Sequence, residues 1–151
     1  MSTTAEAGVG TSVQTKHVLV VEDDEMFRIL LRDMFWIHSS HQCMIEVVTR
    51  RSLEEAQSYL DSSQVTPDII FMGFWLLTAH KDGVMTRETI PTLEFIRKLK
   101  ADNRYAKTTI VVYSRFSEAE FKERAREAGA DYYLVKGELT PREIFDFVEN
   151  L

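Results

Sequence analysis

Apolar positions fall into two kinds of run that alternate along the chain. The short runs "HVLVV" (17–21), "MIEVV" (44–48), "DIIFM" (68–72), "TIVVY" (109–113) and "DYYLV" (131–135) read as strands buried on both faces. Between them, apolar residues recur every three or four positions. In "EMFRILLRDMF" (25–35), Met26, Ile29, Leu30 and Met34 keep this spacing, which predicts a helix. Ser52 with Glu55, Ser117 with Glu120 and Thr140 with Glu143 have the pattern of capping boxes opening three more helices. Pro91 lies near the first turn of the helix predicted over 92–100, Pro141 opens the last helix, and Gly129 stops the one before it. Strands and helices in strict alternation predict an α/β domain, a parallel sheet covered on both faces. Residues 1–16 are small, polar and without period, so the pattern predicts a flexible tail there and a domain over 17–151. The stretch "LLTAHKDGVMTRETIP" (76–91) is long for a strand-to-helix connection.

Length and composition narrow the function classes. A chain of 151 residues fits one domain and is long enough to bury a core without staples. Its net charge of −6 argues against a nucleic-acid partner, since that affinity rests on concentrated Lys and Arg. Cys43 is the single cysteine, which forbids an internal disulfide and fits a reducing compartment. The first residues lack the apolar core of a signal peptide, and "IIFMGFWLL" is too short to span a bilayer. The expectation is a cytoplasmic protein with no membrane partner.

In a doubly wound sheet, ligands bind beyond the carboxyl ends of the strands, so functional groups are expected just after residues 21, 72, 113 and 135. Glu22, Asp23, Asp24 and Glu25 follow the first strand. A plain solvated turn explains them, with Asp24 as helix cap. Clustered carboxylates with oxygen-only ligation also suit Mg²⁺. Ser114 follows the fourth strand and can donate a hydrogen bond to an oxyanion. Lys136 follows the fifth, where it is either a snorkelling surface lysine or a point charge in an anionic pocket.

Acid pair, hydroxyl and lysine at three strand ends of one pattern are jointly specific. The chain resembles the receiver domain of bacterial two-component response regulators, of chemotaxis-regulator type. The resemblance covers about 17–151 and rests on "VLVVEDD", "PDIIFM", "TIVVYS" and "AGADYYLVK" in that order. It implies a flavodoxin-like fold with a five-stranded parallel sheet of order 2-1-3-4-5 and five flanking helices. Glu22 and Asp23 resemble the Mg²⁺-binding acid pair, with Asp24 as a possible further ligand. Ser114 takes the place of the phosphoryl-contacting hydroxyl, Lys136 that of the invariant lysine, and Tyr133 that of the aromatic switch residue. The implied partners are a histidine kinase, a phosphotransfer protein or an effector. They would meet the face formed by about 117–150, where Lys122, Glu123 and Arg126 are expected to be exposed, on a monomer or weak homodimer.

One position breaks the resemblance. The seventh residue of "PDIIFMG" should be the phosphoacceptor aspartate, and it is Gly73. Receivers work because that carboxylate attacks a phosphoryl group while Mg²⁺ offsets the gathering charge, and glycine offers no nucleophile. Asp68 is expected at the far end of the strand, while His80 and Asp82 lie in the long connection. Arg115 stands where a small residue is usual, and is expected to cover the pocket or pair with Glu22 or Asp23. Gly137 stands where a proline is usual, putting a cis peptide there in doubt. With one carboxylate gone, Mg²⁺ is expected to bind weakly or not at all, leaving Lys136 to pair with Asp23.

The leading expectation is a receiver-like signalling protein that is not an enzyme, acts through protein contacts and is not phosphorylated at position 73. An alternative is a working receiver whose acceptor was changed to glycine to lock it unphosphorylated. A Mg²⁺-dependent phosphatase is a third, weakened by the lack of an Asp-x-Asp run after the first strand. His38, His41 and Cys43 offer no fourth ligand at useful spacing for zinc. Trp36, Phe74 and Trp75 could line a ligand cage, although core packing accounts for them as well.

Overall fold

The computed structural model describes residues 14–151. Its elements in chain order are β1 (Gln14–Val21), α1 (Glu25–His38), β2 (Cys43–Arg50), α2 (Leu53–Ser62), β3 (Ile69–Gly73), β4 (Leu76–Ala79) and β5 (Met85–Glu88). They continue with α3 (Ile90–Ala101), a 3₁₀ turn (Asn103–Tyr105), β6 (Thr109–Ser114), α4 (Ala119–Ala128), β7 (Tyr132–Val135) and α5 (Pro141–Glu149). The main sheet has the order β2-β1-β3-β6-β7, and all of its pairings are parallel. Counted as main-sheet strands, this is the order 2-1-3-4-5 that the resemblance implied.

Alternate side chains of each strand feed opposite layers, as the period of a strand requires. Leu19, Val21, Ile70, Met72, Ile110 and Val112 pack against α2, α3 and α4. Val18, Val20, Ile69, Phe71, Val111 and Tyr113 pack against α1 and α5. With both faces covered, the central strands have no polar alternation, which is why they read as continuous apolar runs.

Three local expectations need correction. β1 starts at Gln14, so residues 14–16 belong to the sheet and pair with Cys43–Ile45; the rest of the expected tail, 1–13, lies outside the described residues. Ser117 does not cap α4, which begins at Ala119 behind Glu118 with no side-chain cap. The Ser52 hydroxyl caps α2, but Glu55 turns to the Arg51 amide instead of completing a box. The Thr140–Glu143 box is complete.

The largest departure is the long connection. Residues 76–88 form an antiparallel hairpin that pairs Leu76 with Glu88 and Ala79 with Met85. Gly83, with φ of +86°, supplies the left-handed residue of its turn. Leu76 is 2% exposed and belongs to the core beneath α3 and α4, so the hairpin is anchored to the domain by its first residue.

Lys16 closes the opposite end of the fold. Its buried ammonium donates to the main-chain oxygens of Val148, Glu149 and Leu151 at 2.8, 2.9 and 2.7 Å. They lie at and just past the last turn of α5, where the Val148 oxygen also accepts from the Leu151 amide and the other two lack an intrahelical donor. Lys16→Met should therefore lower unfolding stability by about 2 kcal/mol, the scale of charge-assisted hydrogen bonds. Amide exchange should quicken first in the last turn of α5. Unchanged urea midpoint and exchange would show that water replaces the lysine without cost.

Candidate functional site

The turn after β1 is set by the cap of α1. The Asp24 carboxylate accepts from the Met26 amide at 2.9 Å, and the Asp24 amide in turn donates to Glu22 Oε2 at 3.1 Å. This directs the Glu22 side chain inward, where it is nearly buried. Lys136, leaving the end of β7, brings its ammonium to 2.5 Å from Glu22 Oε1 and lies 4.0 Å from the centre of the Phe27 ring. Burial raises the Glu22 carboxyl above its ordinary range, and the Lys136 ammonium offsets that only in part. The Phe27 ring face below Lys136 attracts the same ammonium.

Asp23 points the other way, to the hairpin. Its Oδ2 accepts from the Leu77 amide at 2.8 Å and from the Arg87 guanidinium at 2.7 Å. Burial would push this carboxyl up, but the Leu77 amide, the Arg87 hydrogen bond and Glu22 outweigh it and hold Asp23 below its ordinary value. Arg87 also donates to the Trp75 carbonyl at 3.3 Å, tying the second hairpin strand to the end of β3. Arg115 completes the set with a guanidinium nitrogen 3.3 Å from Asp24 Oδ2. Each of the three carboxylates thus has its own side-chain cation.

β3 ends at Gly73, which is buried like the rest of the strand and borders the cleft. A Cβ placed on Gly73 would lie 2.8 Å from Leu76 Cδ2 and 3.3 Å from Glu22 Oε1. The first distance is well inside carbon–carbon contact, which is near 3.5–4 Å at its optimum. The buried Leu76 side chain therefore stands where a side chain of residue 73 would begin. The glycine that looked unexplained at a strand end is the residue that lets the hairpin pack.

Ser114 lies at the end of β6, buried, and its hydroxyl accepts from the Phe116 amide at 3.1 Å. The Tyr133 hydroxyl donates to the Phe116 carbonyl at 2.7 Å, so Ser114 and Tyr133 hold one peptide segment from both sides. Around them is an aromatic layer. Phe74 meets both Tyr133 and Phe121 edge-on at 5.9 Å, and the Trp75 ring lies 4.8 Å from Phe116. The cleft left between these groups has a volume of about 280 Å³, with Asp23, Asp24, Trp75, Arg87, Arg115 and Phe116 among its walls.

The expected residues Glu22, Asp23, Asp24, Gly73, Ser114, Arg115 and Lys136 do line one cleft. Several pairings differ from expectation. Lys136 pairs with Glu22 rather than Asp23, because the hairpin takes Asp23. Arg115 pairs with Asp24 rather than with Glu22 or Asp23. Gly137 has φ of +92°, a value that a proline ring excludes, and no described peptide bond is cis.

Other candidates lie apart from the cleft. Asp68 accepts from the His17 amide at the far end of β3, Asp82 holds the hairpin turn, and His80 bonds Thr86 across the hairpin. The three cage candidates separate: Trp36 is 79% exposed on α1, Phe74 is core and Trp75 sits on the cleft rim. His38 packs on Phe145 and Cys43 is buried in β2, and no metal-holding cluster of His, Cys, Asp or Glu occurs among the described residues. Arg87 and Leu76 were missed in sequence. The available signal was Asp82-Gly83, a hairpin-turn dipeptide between short runs.

The comparisons agree with this architecture. Among solved structures, a response regulator receiver protein from Pseudomonas putida superposes with a TM-score of 0.69 at 21% identity, covering 93% of this chain and 100% of that one. A chemotaxis protein of Vibrio cholerae gives 0.68 at 20%, covering 90% and 98%. A response regulator from Thermotoga maritima gives 0.68 at 17%, covering 90% and 96%. At these identities the structures establish the shared fold. Comparison with curated proteins gives no match. The family model of the response regulator receiver domain matches residues 18–149, nearly the whole described chain. With that match, and with Glu22, Asp23, Ser114 and Lys136 gathered at the carboxyl ends of its parallel strands, the chain belongs to the response regulator receiver domain family.

Proposed function

We propose that this receiver-domain signalling protein of two-component type does not take up a phosphoryl group at position 73 and acts through protein contacts in one resting arrangement. The observation that carries this reading is the 2.8 Å approach of Leu76 Cδ2 to the Cβ position of Gly73. Acceptor chemistry needs a carboxylate there; glycine supplies none, and one could be added only if the Leu76 methyl group moved aside. Domains of this family are signalling modules, and the polar groups left in the cleft are engaged with one another or with the main chain. Glu22 is the carboxylate nearest position 73, with Asp23 and Asp24 on the same cleft, and each of the three is held by a side-chain cation.

The alternative history, a working switch disabled by one change, fits the retained Glu22, Ser114, Tyr133 and Lys136. It fits Leu76 and Arg87 poorly, because a pocket that lost only its acceptor would still have space for one. Tyr133, the counterpart of the family's switch residue, is held inward by the Phe116 carbonyl and by Phe74, which supports a single arrangement.

For the partner surface we place the contact on 117–150. Its α4 charges pair along the helix, Arg124 with Glu120 at 2.6 Å and Arg126 with Glu123, and its half-exposed Tyr132 packs edge-on against Phe147. Exposed pairs of this kind contribute little stability, so they are available to steer a partner. A second surface rests on its own observation: α1 exposes Met26, Ile29, Leu30, Trp36 and Ile37, an apolar stripe that is unusual on a free surface.

Two measurements test the reading. Intact mass after incubation with acetyl phosphate and Mg²⁺ should show no phosphoryl adduct on the parent protein and none on Gly73→Asp. An adduct on the parent would overturn the proposal, and an adduct on the variant alone would favour the disabled switch. The second concerns the Glu22–Lys136 pair, which in this reading is a structural tie. Lys136→Met leaves a nearly buried carboxylate without its cation and should cost about 3 kcal/mol in denaturant unfolding. Adding Glu22→Gln should recover most of the loss, whereas a loss independent of Glu22 would contradict the structural role.

A further inference from the structure

The strand ends of this domain present the acid pair that its family uses for a divalent cation, yet the donor set does not fit one. Glu22 Oε1 is taken by Lys136 at 2.5 Å and Oε2 by the Asp24 amide. Asp23 Oδ2 is taken by Arg87 at 2.7 Å and by the Leu77 amide at 2.8 Å. Gly73 offers no side-chain oxygen, and Asp24 is spent on the Met26 amide and Arg115. A Mg²⁺ ion needs near-octahedral oxygen donors around it, and a guanidinium on one of them repels it.

We infer that the β4–β5 hairpin is a built-in occupant of the receiver pocket, with the Arg87 guanidinium serving as the resident counter-cation of Asp23 and the Leu76 side chain filling the acceptor position. This rests on the reading that position 73 takes no phosphoryl group, and it adds the reason that the acid pair holds no divalent cation: its carboxylates already have partners from the chain itself.

Three observations converge on one short hairpin. Register places Leu76 opposite Glu88 and Leu77 opposite Arg87, so neighbouring positions of β4 and β5 deliver the apolar plug, the donating amide and the cation together. The Asp23 side chain is only 7% exposed, so its negative charge requires a partner and has one from the chain itself. Arg87 is anchored twice, on Asp23 and on the Trp75 carbonyl, which fixes its fork instead of leaving it to sweep solvent. Charge in the cleft is therefore balanced by Arg87, Arg115 and Lys136 against Asp23, Asp24 and Glu22, a balance that a bound divalent cation would upset.

Manganese binding, followed by the loss of the free-ion electron paramagnetic resonance signal, tests this. The comparison is between Gly73→Asp/Leu76→Ala, which restores the carboxylate and its room while keeping Arg87, and the same protein with Arg87→Ala added. Apparent affinity should rise at least tenfold when Arg87 is removed, and Arg87→Lys in its place should hold it near the lower value. Equal affinity with and without Arg87 would overturn the inference. Should the Leu76 change unfold the core, Arg87→Ala alone decides: manganese should broaden the Asp23, Asp24 and Leu77 amide resonances there and leave them sharp in the parent. Equal broadening in both would likewise overturn it. A parent that gains a phosphoryl group sinks the functional reading, whereas metal binding indifferent to Arg87 sinks only the assignment of the hairpin.

Discussion

Two side chains cannot approach well inside van der Waals contact, and at the end of β3 the Leu76 side chain crowds the space where one on residue 73 would begin. The core beneath α3 and α4 includes this leucine, and its methyl group lies 2.8 Å from where a Cβ on residue 73 would be. Glycine at 73 suits this packing, because any other residue would require the Leu76 methyl group to shift. With Leu76 fixed, the chain must turn back over the strand ends. That brings the Leu77 amide and Arg87 to Asp23, and leaves Glu22 to Lys136. The distribution of charge in the cleft thus descends from a packing contact.

The same contact ties the cleft to the elements around it. Phe74 follows Gly73 into the core and meets Tyr133 and Phe121, while Trp75 covers Phe116, whose carbonyl receives the Tyr133 hydroxyl. β3, β6, β7, α4 and the hairpin therefore share one aromatic layer. A change at any of them must be accommodated by the others, since close-packed groups adjust in discrete steps rather than continuously. On the proposed reading this layer keeps the domain in one arrangement, which a partner reads directly.

The parts of the fold that depend on local pattern were legible in the sequence. Buried parallel strands leave unbroken apolar runs, and the Thr140 and Ser52 caps mark their helices through side chains close in sequence. The acid pair, Ser114 and Lys136 were legible because topology alone brings strand ends together. What the sequence hid were contacts distant in the chain between residues of ordinary type. Arg87 reaches Asp23 across 64 positions, and nothing in "MTRE" distinguishes it from a solvated arginine. The same holds for Leu76, an apolar residue in a run of apolar residues. Without the hairpin, nothing in the sequence gives Asp23 a partner other than Lys136 or Arg115. Lys16 was assigned to a tail because its acceptors lie at the other end of the chain.

The most direct test of the central claim is fluorine NMR of the Gly73→Asp variant in beryllium fluoride and Mg²⁺, beside the unaltered protein. That mixture forms a phosphoryl mimic only on an accessible acceptor carboxylate with a cation beside it. A pocket already filled by Leu76 and Arg87 should give only the resonances of the free fluoride species, whatever the concentration of the mimic. A slowly exchanging protein-bound fluorine signal would mean that the cleft still accepts a phosphoryl-like group, and would contradict the account.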